Sequence, residues 1–85
     1  MKNVNVPVDQ AKWDEFRIVR LVNGAHKIKS DMDVILDEYR MNMKSITLMM
    51  EFYERMVLYP EVTVCLNGED EEEAAAWVKS YFEGN

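Results

Sequence analysis

An α+β fold with elements in the order β-α-β-β-α-β-α is what the 85-residue sequence predicts, and three observations lead there. Apolar and polar residues alternate at 3–8, 30–43 and 61–68, the period of half-buried strands. Apolar residues recur at spacings of three and four in three other stretches, the period of amphipathic helices. The chain is also short. A single domain spanning residues 1–85 buries roughly 60–65% of its unfolded surface, so its core must be a thin layer of helices on a sheet. Three helices can cover one face of a four-stranded antiparallel sheet and leave the other face to water.

The elements follow in order. "NVNVPV" brings Val4, Val6 and Val8 to one face of a short strand, and Pro7, which cannot donate to a ladder, puts it at a sheet edge or at the strand's end. From Trp13 to Ile28, the residues Ile18, Leu21, Val22, Ala25 and Ile28 describe one face of a first helix. "SDMDVILDEYRMNMKS" alternates Met32, Val34 and Leu36, turns at Asp37-Glu38, and alternates again with Tyr39, Met41 and Met43. This is a hairpin without the glycine that tight turns favour. A second helix after Ser45 carries Ile46, Met49, Met50, Tyr53 and Val57 on one side, and Pro60 stops it. "EVTVCLNG" is a fourth strand, with Val62, Val64 and Leu66 on one face. The last helix opens on the acidic run Glu69 to Glu73, presents Ala74, Trp77, Val78, Tyr81 and Phe82, and stops at Gly84. That run could be imagined as a cation site, but acidic side chains at the positive end of a helix dipole account for it.

Composition narrows the function. So thin a core leaves no room for a deep catalytic cavity, which argues against an enzyme. Cys65 is the only cysteine and His26 the only histidine, too few soft ligands for a zinc site, and no cofactor motif is present. A lone thiol suits a reducing, cytoplasmic setting, and no apolar run is long enough to span a bilayer. Ten Lys and Arg against sixteen Asp and Glu give a net charge of −6, which opposes nucleic-acid binding. Residues 1–44 hold eight basic and seven acidic side chains, whereas residues 45–85 hold two and nine. An anion-attracting surface would lie in the first half.

Three strings in order, "SDMDVILD", "NMKSI" and "PEVTVCLNGEDEEEAA", resemble the HPr-like phosphocarrier family of the bacterial phosphotransferase system. The resemblance spans nearly the whole chain and implies an open-faced β-sandwich. "FYERMVLYPE" looks about two residues longer than the family's segment there. Family carriers begin the first helix with G-[IL]-H-A-R-P, where the histidine accepts phosphate and the arginine steadies it. Counting back from Ser30-Asp31, this chain reads "KWDEFR", with Asp14 at the histidine's position and Phe16 at the arginine's. His26 falls in the last turn of the first helix, where it would meet the dipole's negative end or stand exposed. Asp14 is expected to cap the first helix. Its fixed charge only poorly imitates a phosphorylated carrier.

Ser45 is expected to cap the second helix. The resemblance adds that a serine in a K-S-I context is the target of a regulatory kinase in family members, whose phosphoserine form binds a transcription regulator. A phosphate at a helix N-terminus meets free N–H groups and the favourable end of the dipole. The family's docking surface maps onto Trp13, Phe16 and Val19 of the first helix region and Ile46, Leu48 and Met50 of the second, either as an exposed contact patch or as packing that replaces lost glycines. Phe16 lies about 200° around the helix from Ile18, away from the apolar face. The leading expectation is a non-enzymatic regulatory module whose partners are proteins: a transcription regulator, a kinase or a phosphotransferase-system protein. The alternatives are a carrier with an unorthodox acceptor and a structural or oligomerisation module that keeps only the fold.

Overall fold

The computed structural model describes residues 1–83, apart from the side chain of Val57. Its elements are β1 (Lys2–Pro7), α1 (Glu15–Ala25), β2 (Asp31–Leu36), β3 (Tyr39–Asn42), α2 (Ile46–Arg55), β4 (Glu61–Asn67) and α3 (Glu71–Phe82). The order is the one that the residue periods predict. Short 3-10 turns at Gln10–Lys12 and Met56–Leu58 add to it. The expected stop at Gly84 lies outside the described residues.

The strands form one antiparallel sheet in the order β1-β4-β2-β3. Pro7 closes the edge strand β1, where its missing N–H leaves no ladder bond unmade. Val64 of the central β4 lies opposite Val4 on one side and Val34 on the other. With Val6, Met32, Leu36, Met41, Met43, Val62 and Leu66, these residues face a core closed by Ile18, Leu21, Val22 and Ala25 of α1 and by Ala74, Val78 and Phe82 of α3. The opposite face of the sheet is polar. There Thr63 donates to Asn5 at 2.7 Å, and Arg40 pairs with Asp33 and covers Cys65, its Nη2 lying 3.3 Å from Sγ.

Two local expectations are corrected. The core side of α2 is Met49 and Phe52, followed by Met56, and Phe52 is fully buried. Ile46 is exposed and Met50 and Tyr53 are half-buried, while the side chain of Val57, placed with them, lies outside the described residues. A mostly apolar run offers several faces of similar hydrophobicity, and the ring without a hydroxyl to satisfy took the core. Burying Phe52 contributes roughly 1.5–3 kcal/mol. Tyr39, expected to alternate inward with Met41, is exposed at the hairpin end, with the Arg55 guanidinium 4.7 Å over its ring.

Part of the acidic run has structural work. Asp70 leaves its own helix uncapped and reaches back to the start of β2, where its carboxylate accepts from Lys29 N at 2.9 Å, from Ser30 N at 2.8 Å and from the Ser30 hydroxyl. Glu72 pairs with Lys2 of β1 at 3.0 Å. Gly68 permits the approach, because a Cβ there would lie 2.6 Å from Ser30 Oγ. Among the described residues, no group of three or more His, Cys, Asp or Glu side chains could hold a metal ion.

Candidate functional site

α1 starts where Asp14 takes extended backbone angles and its carboxylate accepts from Arg17 N at 2.8 Å. The carboxylate thereby satisfies one of the N–H groups that every helix start leaves free. His26 caps the other end of α1, exposed and about 18 Å along the axis from Asp14. The two residues cannot act on one group.

The expected contact residues divide. Phe16 stands 78% exposed, Val19 42% and Ile46 44%. Leu48 and Met50 are half-buried and pack partly against the core. Trp13 is a correction: it is 6% exposed, its ring 5.0 Å from that of Phe82 and 6.0 Å from that of Tyr81. The indole precedes α1, at the end of the Gln10–Lys12 turn, with φ −100° and ψ 137°. A helical wheel does not apply to it there, and the extended backbone turns it under the end of α3. Exposed apolar residues at the α1–α2 layer therefore number three of the six expected, Phe16, Val19 and Ile46.

Arg17 was not singled out by the sequence. Its guanidinium lies 4.9 Å over both the Trp13 and Tyr81 rings and donates to the Tyr81 carbonyl, while the Tyr81 hydroxyl donates to the Arg17 carbonyl at 2.9 Å. No helical spacing could have found it, because Trp13 lies outside α1 in extended backbone, and Tyr81 is distant in sequence.

Ser45 caps α2 as expected from its position before the apolar run. Its backbone is extended, at φ −99° and ψ 116°, and its Oγ accepts from Leu48 N at 3.3 Å. The neighbouring Lys44 is turned away, its Nζ donating to the Ile28 carbonyl at 2.6 Å. Ser45 itself is half-buried.

No family model and no curated protein sequence matches the chain. Solved structures do. The histidine-containing phosphocarrier protein of Mycoplasma matches at 22% identity and TM-score 0.77, over 94% of this chain and 90% of that one. HPr-C-His from Thermoanaerobacter tengcongensis matches at 26% and 0.73, over 100% and 99%. The catabolite repression protein Crh of Bacillus subtilis matches at 26% and 0.70, over 85% and 80%. The chain thus has the HPr-like fold, an α+β open-faced sandwich, and the resemblance carried by its three strings extends through that fold. Among the described residues, no helix is long and apolar enough to cross a membrane.

Proposed function

We propose that the chain is a non-enzymatic protein-binding module, without phosphohistidine carrier activity, that acts in the regulation of carbon or sugar metabolism in the cytoplasm and is controlled by phosphorylation at Ser45. The observation that carries this reading is the start of α1. Where the family resemblance places an imidazole, Asp14 is occupied as a helix cap. Where it places a steadying arginine, the exposed ring of Phe16 stands instead. A carboxylate beside Glu15 repels an incoming phosphoryl group, and Arg17, the nearest guanidinium in sequence, is engaged with Trp13 and Tyr81.

Phe16, Val19 and Ile46 provide apolar surface suited to a protein partner. Ser45 supplies a hydroxyl at a helix start where a phosphate is electrostatically welcome. The likeness to Crh, described as a catabolite repression protein, supports a regulatory role. The experiment treats the chain with adenosine triphosphate and the family's serine kinase, then titrates the product with the family's carbon-control transcription regulator. Phosphate lost in Ser45→Ala and a complex weakened by Phe16→Ala support the reading. A chain that takes no phosphate and forms no complex rejects it.

A further inference from the structure

Arg17 keeps an unfavourable group inside the fold. Its Nε is buried and, among the described residues, has no hydrogen-bond partner. A buried N–H without an acceptor is costly and uncommon, and it asks for a compensating role. The rest of the guanidinium supplies one. It donates to the Tyr81 carbonyl, in the last turn of α3, where carbonyls lack partners within their own helix. The Tyr81 hydroxyl returns a bond of 2.9 Å to the Arg17 carbonyl, in the first turn of α1. The same Arg17 contributes the N–H that Asp14 caps. One residue pair therefore joins the helix start that presents Phe16 to the end of α3.

We infer that the Arg17–Tyr81 pair is a releasable latch, which makes the first turn of α1 and the end of α3 a local unit that opens without the sheet. The buried, unpaired Nε offsets part of what the ring contacts and hydrogen bonds contribute to the closed state, and release would free the helix start that presents Phe16. Local units of this kind open at lower free energy than the whole fold. The latch's importance for binding rests on the reading of Phe16 as a contact residue, but its test needs no partner.

The test is amide hydrogen exchange followed by nuclear magnetic resonance on the full chain. Tyr81→Phe removes one hydroxyl and little else. The Arg17 and Ile18 amides, which bond to the Asp14 carboxylate and carbonyl, should then exchange about tenfold faster, the effect of losing one hydrogen bond. In the wild type these two amides should exchange through an opening of lower free energy and weaker urea dependence than Val64 and Leu66 in the central strand, which report global unfolding, and the variant should lower both opening free energies by the same amount. Arg17→Lys should give the same local acceleration, and the double variant should add less than about twofold to either, as expected of two groups acting as one unit. Wild-type exchange of the Arg17 and Ile18 amides at the same free energy and urea dependence as Val64 and Leu66, no acceleration in either variant, or fully additive effects would overturn the latch. None of these outcomes depends on whether Phe16 binds anything, so the two readings can fail separately.

Discussion

Phe16 and Trp13 are near in sequence and opposite in environment, and the contrast separates the aromatic that serves the fold from the one that stands in solvent. Trp13 packs against Phe82 and Tyr81 and carries Arg17 on its face. Its replacement by alanine should destabilise the chain by about 3–5 kcal/mol, the range for a large buried ring. Phe16 packs against little, and Phe16→Ala should change stability by less than about 0.5 kcal/mol in a urea titration. Comparable losses for the two variants would make Phe16 a packing residue and remove the apolar anchor. Ser45→Ala should cost about 0.5–2 kcal/mol through loss of the α2 cap, whether or not a kinase acts there. An unmoved denaturation midpoint would mean that the hydroxyl does not cap the helix in solution.

Between elements, the most explicit tie is the carboxylate of Asp70, which fastens the start of α3 to the start of β2. The Ser30 hydroxyl first, and then the backbone N–H groups of Lys29 and Ser30, hold its carboxyl below the ordinary value of 3.8. A carboxyl depressed in the folded state stabilises fully above its unfolded value and loses that contribution as pH falls through the folded value. Stability should therefore decline as pH drops below about 4, and Asp70→Asn should flatten this decline while lowering stability at neutral pH. A wild-type acid limb unchanged in the variant would exclude Asp70 as its source. Elements of this kind were legible where polar residues punctuate the chain: Asp14 and Ser45 mark helix starts, and Val62, Val64 and Leu66 mark a core face. The phase of α2 was not, because Ile46 to Phe52 is mostly apolar and offers several faces of similar hydrophobicity. The position of Trp13 depended on a 3-10 turn, capped by Asp9, that is too short to show a period. The Arg17–Tyr81 pair joins residues distant in sequence, and only packing could bring them together.

At the scale of the molecule, an HPr-like frame is preserved while the residues at its expected transfer position are changed. The frame needs a valine-rich sheet, one apolar face on each of three helices, and caps at the two helix starts, all of which this sequence supplies. None of that requires an imidazole at position 14. The fold therefore does not depend on transfer chemistry, and Phe16, Val19 and Ile46 stand as apolar surface over the α1–α2 layer. The measurement that tests this most directly is incubation of the chain with labelled phosphoenolpyruvate and the phosphotransferase system's first enzyme, with an authentic HPr as the positive control. The account predicts that the control becomes labelled and this chain acquires no acid-labile phosphate. Stoichiometric label on Asp14 or His26 would contradict it and make the protein a carrier with an unorthodox acceptor.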